Sequence, residues 1–154
     1  MDPEKLIALI ESICPTVRRR AHADRVAVSV DTGGLLALMQ VLRDDPALRF
    51  DFLLTHTAVD RIDDRCFELV YILYSTVHGH NLFVTTTIDR ENPVVPSVCG
   101  LWPIAEWQER EVYDLMGVLY DDHPDLRRMF LEDDWVGFPL RKDYQDDHML
   151  ELPK

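Results

Sequence analysis

Two short motifs in the sequence contain residue types that could cleave a bond or bind a metal. Asp31-Thr32-Gly33 has the Asp-Thr-Gly order of aspartic proteases, which need two such carboxylates in one pocket. The sequence contains no second copy, so a standalone hydrolase centred on Asp31 would need a dimer or another nearby carboxylate; a helix cap is favoured. His78-Gly79-His80 offers two imidazoles, but they flank a glycine turn and no third metal ligand is evident.

A second group of candidates lies on one predicted helix. Glu109 and Glu111 flank Arg110, and successive helical side chains point in different directions. These two carboxylates are therefore not expected to work as an acid–base pair. A nucleophile elbow and a glycine-rich phosphate loop are both absent from the sequence.

Further along the chain, Arg127 and Arg128 are adjacent and could clamp a phosphate. The many carboxylates nearby make an acidic group on another subunit the better match. His123 lies beside Asp121 and Asp122, which allows a pH-sensitive hydrogen bond, although an ordinary loop histidine is favoured.

Cysteine usage and charge exclude several classes of protein. Cys14, Cys66 and Cys99 are far apart, which does not match the spacing of a zinc site, a redox motif or an iron–sulfur loop. We expect three reduced thiols. The 28 acidic and 16 basic residues give a formal net charge of −12, which argues against binding to a nucleic acid or a polybasic membrane anchor.

Membrane insertion is also not expected. The longest apolar run, Leu69 to Tyr74, is far shorter than the roughly 20 residues that span a bilayer. The first residues lack the cationic head of a signal peptide. If the protein works at a membrane, we expect other subunits to hold it there.

The elements that position these residues can be predicted from apolar spacing. Leu6, Leu9, Ile10 and Ile13 indicate a first helix, and residues 25–31 alternate as a half-buried strand. Asp31 and Thr32 are positioned to cap a second helix that ends near residue 44. Segments 51–59, 66–75 and 82–88 then predict an antiparallel meander whose middle strand is buried on both faces.

This order predicts an α+β fold, a two-layer sandwich of helices on a mixed, largely antiparallel sheet. We assign residues 1–96 to the α+β core and residues 97–154 to a C-terminal helix followed by an extended segment, within one structural domain overall. The second part has a net charge of −8, against −4 for the first part.

The C-terminal part begins with a predicted helix over residues 103–116, with Pro103 in its first turn and Gly117 after its end. Glu106, Arg110 and Asp114 are four residues apart and can form an acid–base–acid ladder. Residues 125–131 could add one or two helical turns. The aromatic and arginine side chains of the irregular remainder suggest docking on another protein.

Three ordered blocks, Trp107–Gly117, His123–Arg128 and Gly137–Tyr144, resemble the 30 kDa subunit family of respiratory complex I. In bacteria this family is the C subunit of NADH-quinone oxidoreductase. The motif positions, which the resemblance implies are scaffold and docking residues, are Glu109, Arg110, Glu111, Tyr113, Asp114, His123, Pro124, Asp125, Leu126, Arg127, Arg128, Pro139, Leu140, Arg141, Lys142 and Asp143.

The resemblance implies a subunit that carries no cofactor and has no catalytic residue. It would dock on the large quinone-site (49 kDa-type) subunit and near the small iron–sulfur subunits, on the cytoplasmic face of the inner membrane. NADH, flavin, iron–sulfur clusters and quinone would belong to those partners, in an enzyme that couples electron transfer to proton translocation. Membrane-bound energy-converting [NiFe] hydrogenases use a related subunit, so their NiFe-bearing large subunit is an alternative partner.

The charged motif residues have two competing roles, at an interface or as braces within the chain. For Arg110 and Asp114 an internal pair is favoured, because they are one helical turn apart. For Arg141 and Lys142 an interface is favoured, because no local core is evident around them. A soluble adaptor outside energy metabolism would use the same surface for an unrelated partner.

Overall fold

The structure, a computed structural model, describes residues 2–20 and 25–147. Its three helices and seven strands follow in the order α1 (Pro3–Ile13), β1 (Arg18–Arg19), β2 (Ala27–Ser29), α2 (Thr32–Asp44), β3 (Phe52–Arg61), β4 (Cys66–Ser75), β5 (His80–Asp89), β6 (Val94–Pro96), α3 (Ala105–Met116) and β7 (Leu119–Asp121), with a 3₁₀ turn at Ile62–Asp64.

Five strands form one sheet in the order β1-β2-β5-β4-β3. The β3–β4–β5 meander is antiparallel, whereas β2 pairs with β5 in parallel through Val28 and Val84. The three helices pack on this sheet, which confirms the predicted α+β sandwich. Strands β6 and β7 form a separate parallel pair.

The core forms on one face of the sheet because β4 alternates. Phe67, Leu69, Tyr71 and Leu73 are completely buried, and the residues between them are only partly buried. The prediction that β4 is buried on both faces is therefore wrong. The buried face also contacts Val98, Trp102 and Val112 from the C-terminal part, so one hydrophobic core spans both predicted segments.

Two predicted elements are shorter in the structure. The strand predicted over residues 25–31 is restricted to Ala27–Ser29. The third helix begins at Ala105, because the Ala105 and Glu106 amides bond carbonyls three residues back, at Trp102 and Pro103. This tighter first turn places Pro103 just before the helix. Among the described residues, no helix has both the length and the apolar character needed to cross a bilayer.

Gly117 ends α3 in the left-handed conformation, with φ of 76°. A β-carbon there would lie 2.5 Å from the Phe138 ring and 2.7 Å from a guanidinium nitrogen of Arg141. A glycine is required both by the backbone angle and by the close approach of these two residues.

We predict that Gly117→Ala lowers the free energy of unfolding by about 3 kcal/mol, because it combines a strained φ with overpacking. Urea unfolding measures the loss, and limited proteolysis within residues 122–147 should accelerate. Gly100→Ala is the matched control, since a β-carbon at Gly100 meets nothing within 4 Å. Equal unfolding midpoints for the two variants would contradict the prediction.

Candidate functional site

The buried carboxylate of Asp114 organises the C-terminal segment, defined here as residues 122–147. One carboxylate oxygen accepts a hydrogen bond of 2.8 Å from Arg128 Nη1. The other accepts the backbone amides of Met129, Phe130 and Leu131 at 2.7–3.1 Å. Burial opposes ionisation of Asp114, but these donors outweigh it and lower the pKa of the carboxyl group.

This arrangement overturns the helical turns predicted for residues 125–131. The amides of residues 129–131 point into the Asp114 carboxylate and cannot donate along a helix. Arg128 instead reaches inward, and its second terminal nitrogen donates to the carbonyls of Trp135 and Gly137. Arg127 points outward and pairs with Asp125, so the two arginines do not form a joint clamp.

The predicted ladder along α3 is also wrong in its pairing. Arg110 does not pair with Asp114; its guanidinium donates to the carbonyls of Arg127 and Arg128 and lies over the Trp107 ring. Both α3 residues therefore bind the segment that follows, as the internal bracing interpretation expected. Removing one partner of a buried ion pair, such as Asp114 and Arg128, typically costs about 3–5 kcal/mol of folding free energy.

A second anchor fastens the far end of the segment to the sheet. Arg90 donates two hydrogen bonds to Asp60, at 2.9 and 3.1 Å, and also pairs with Asp143. The backbone amide of Lys142 donates to the same Asp60 carboxylate. The sequence offers no pattern that would reveal this anchor, because its members are separated by up to 83 residues, from Asp60 to Asp143.

Arg141 is used inside the molecule. Its guanidinium lies over the Phe67 and Phe138 rings, and its Nε donates to the Met116 carbonyl at 2.7 Å. The argument that no local core exists around Arg141 is therefore wrong, because the sheet supplies that core. The Lys142 side chain is exposed and remains available to a partner.

The other motif positions differ in exposure. Glu111, Pro124, Asp125, Arg127, Leu140 and Asp143 are exposed, whereas Tyr113, His123, Leu126 and Pro139 are partly buried. Glu109 is buried and Glu111 is exposed, so the two carboxylates do not share a site.

Glu109 binds the loop that leads into α3. Its carboxyl group accepts hydrogen bonds from the Ser97 hydroxyl (2.6 Å), the Val98 amide (2.8 Å) and the Cys99 thiol (3.3 Å). Burial raises the pKa of Glu109, and burial together with this acid raises the pKa of the Cys99 thiol to about 12. Such a thiol is a poor nucleophile.

Cys99, Glu109 and His123 place one ligand atom each within 4.8 Å of one another, which is the spacing of a metal site. The imidazole of His123 is already committed, however. Its Nδ1 accepts the Asp125 amide, so Nε2 carries the proton and donates to the Glu106 carbonyl. A metal on Nε2 would require a proton on Nδ1, facing the Asp125 donor.

A buried histidine that the sequence did not indicate lies on the same face of the sheet. His56 Nε2 is 2.5 Å from the Tyr120 hydroxyl, and its ring stacks on Tyr71. Burial lowers the pKa of His56 to about 4, so it is neutral at pH 7. Its role here is to join β3 to β7.

The two motifs that could carry chemistry are placed elsewhere. His78 and His80 form hydrogen bonds with the Pro46 and Leu48 carbonyls through their Nε2 atoms. These bonds hold the β4–β5 turn against the loop between α2 and β3. Asp31 precedes α2 as predicted, but its side chain makes no capping hydrogen bond. It lines a cleft with Arg18 and Thr87, and no second carboxylate lines it among the described residues.

Four large apolar side chains of the C-terminal segment are exposed. Phe130, Leu140 and Val136 are 62%, 58% and 86% exposed, and Trp135 is also exposed. Large apolar side chains clustered on an irregular segment are typical of an interaction surface.

We predict that Asp114→Asn lowers the free energy of unfolding by about 3 kcal/mol at pH 7, because Arg128 loses its buried partner. The folded-state pKa of Asp114 lies below its ordinary value of about 4, so its contribution is present above that pH and is lost below it. The gap between variant and wild type should therefore narrow on acidification below pH 4. Asp133→Asn, on an exposed carboxylate, is the matched control.

We also predict that the purified chain contains no stoichiometric metal, since both nitrogens of His123 are hydrogen-bonded. Elemental analysis and an absorption spectrum of the isolated chain measure this. Bound zinc or iron at one equivalent, lost in a Cys99→Ser variant, would contradict it.

The family model described as "Respiratory-chain NADH dehydrogenase, 30 Kd subunit" matches residues 28–148. The C subunit of the NADH-quinone oxidoreductase of Moorella thermoacetica is 42% identical over 92% of this chain and 95% of the relative. The Mycolicibacterium gilvum protein of the same name is 41% identical over 80% of this chain. It is longer, and this chain spans about half of its length, 55%.

Two solved structures share the fold. A chain of the membrane-bound sulfane sulfur reductase, an archaeal respiratory membrane complex, aligns with TM-score 0.79 and 26% identity over 92% of this chain and 85% of that chain. A trypsin-resistant fragment (1–134) of Nqo5 aligns with TM-score 0.68 and 26% identity, over 82% of this chain and all of the fragment. With the family model covering most of the sequence, these findings confirm the resemblance, and the chain belongs to the 30 kDa subunit family of respiratory-chain NADH dehydrogenase.

Proposed function

We propose that this chain is a scaffold subunit of an NADH-quinone oxidoreductase, without a cofactor or catalytic residue of its own. It docks on the large quinone-site subunit near the small iron–sulfur subunits, while NADH, flavin, iron–sulfur clusters and quinone are bound by the partners. The complex transfers electrons from NADH to quinone and couples this transfer to proton translocation. Family membership and the names of the relatives support this proposal.

One structural observation carries the docking role. The C-terminal segment is held on the domain by Asp114, Arg128 and the Asp60–Arg90 pair, yet it exposes Phe130 and Leu140. Large apolar side chains that stay exposed on a firmly held segment are available for contact with another chain. An anchored loop with an apolar outer surface is suited to contact with another subunit.

The proposed location of the chain is at a membrane. The archaeal sulfane sulfur reductase, which contains a chain of this fold, is membrane-bound, and no described helix of this chain is long and apolar enough to cross a bilayer. We place the chain on the cytoplasmic face of the inner membrane, attached through its partner subunits.

A second candidate function is the equivalent role in a different membrane-bound complex. The structure of the archaeal sulfane sulfur reductase includes a chain of this fold, matched over most of both chains. The fold therefore occurs beside more than one type of redox enzyme. The large subunit of an energy-converting [NiFe] hydrogenase remains an alternative partner of the same kind.

Affinity purification of the tagged chain from its native cells tests the proposal. We expect a large subunit to co-purify, and its identification by mass spectrometry distinguishes a quinone-site subunit from a hydrogenase or sulfur reductase subunit. Recovery of the chain without any large subunit would overturn the docking role.

The exposed Lys142 and the internal Arg141 should respond differently. We predict that Lys142→Ala keeps the wild-type unfolding midpoint and lowers recovery of the large subunit severalfold, since it removes a surface charge at the interface. Arg141→Ala should lower the free energy of unfolding by about 2 kcal/mol, because it removes a partly buried hydrogen bond and two ring contacts. Lys5→Ala on α1 is the control, and equal recovery with Lys5→Ala and Lys142→Ala would contradict the prediction.

A further inference from the structure

Two adjoining hollows form a groove at the end of the C-terminal segment. The larger hollow, of about 440 Å³, is lined by residues 134–136 and 144–147. The smaller hollow, of about 310 Å³, shares Val136, Tyr144 and Gln145 with it and extends to Phe138. We call this feature the Trp135 groove. Its apolar surface comes from Trp135, Val136 and Tyr144.

Tyr144, one of the aromatic residues of the groove, is held in place at both ends of its side chain. Gly137 has φ of 85°, and a β-carbon on it would lie 2.9 Å from the Tyr144 ring. The Tyr144 hydroxyl donates to Asp146, which fixes the ring from the other end. The base of the groove is held by Arg128, which donates to the carbonyls of Trp135 and Gly137. The groove is therefore preorganised and does not have to form on binding.

The charge around the groove is mostly negative. Glu132, Asp133, Asp134 and Asp147 are exposed and form no ion pair with any residue in the described ranges. The nearby arginines are used elsewhere, since Arg128 pairs with Asp114 and Arg141 lies between two rings. The preferred occupant must therefore be cationic.

Aromatic side chains flanked by carboxylates are a specific chemical combination. A guanidinium group stacks on aromatic faces and donates to carboxylates at its edge, whereas an ammonium group does this less well. An acidic or phosphorylated ligand would be repelled, and a purely apolar ligand would leave the four carboxylates without partners.

We propose that the Trp135 groove receives an arginine-bearing segment of the large subunit, with the guanidinium against Trp135 and Tyr144 and its donors on Asp134 and Asp147. This inference rests on the proposed function and adds the chemistry of the contact. The groove supplies orientation as well as attraction, because a guanidinium can stack on a ring and donate to a carboxylate at the same time.

The test is purification of the intact complex through the tagged chain, washed at increasing salt. Asp134→Lys/Asp147→Lys should lower recovery of the large subunit about tenfold at low salt, and added salt should restore part of it by screening the new repulsion, whereas wild-type recovery should fall with salt. Trp135→Ala should lower recovery by a similar factor, with partial rescue in Trp135→Phe, because phenylalanine keeps an aromatic face. Circular dichroism of each variant verifies that the chain is folded.

Asp63→Lys/Asp64→Lys is the matched control, since these aspartates are also exposed but lie on the 3₁₀ turn outside the groove. Wild-type recovery for the Asp134/Asp147 variant at every salt concentration would overturn the groove proposal and leave the proposed function standing. Absence of any large subunit with the wild-type chain would overturn the proposed function instead. A dimer of this chain that Trp135→Ala dissociates would show that the occupant is a second copy, and would also overturn the groove proposal.

Discussion

The buried carboxylate of Asp114 is the interaction on which the C-terminal half of the structure depends. A charged oxygen pair without water must collect hydrogen-bond donors, and here it collects one guanidinium and three consecutive backbone amides. Those amides are consequently lost to a helix, so residues 129–131 adopt an irregular path. One charge thus determines the backbone of a whole loop.

The consequence is a segment that is irregular but firmly held. Arg110 and Arg128 bind its beginning and middle, and Arg90 binds its end through Asp143. Because these cations are satisfied internally, they are poor candidates for contact with a partner. Apart from Arg127 and Lys142, what faces outward is mostly apolar or acidic, which is why the proposed docking depends on the Trp135 groove and on Lys142 more than on the inward-facing arginines of the motif.

The same charged residues illustrate where prediction from sequence succeeded and failed. Arg110 and Asp114 are four residues apart, and this spacing favoured a direct pair on the helix surface. Such a pair contributes little when solvated, whereas a buried carboxylate satisfied by four donors contributes more. The internal role was predicted correctly and the partner wrongly, since local spacing contains no information about which later segment packs on the helix.

The sequence by itself determined the helices, the three long strands, the α+β class and the family. Hydrophobic periodicity and motif order are local properties that survive without coordinates. Only the tertiary structure decided which charges meet, because Asp60, Arg90 and Lys142 converge from three distant parts of the chain. The burial of Arg141 was decided in the same way, since Phe67 lies 74 positions earlier and reaches it only through the sheet. Long-range packing therefore decided which charged residues stabilise the fold from inside and which remain exposed to a partner.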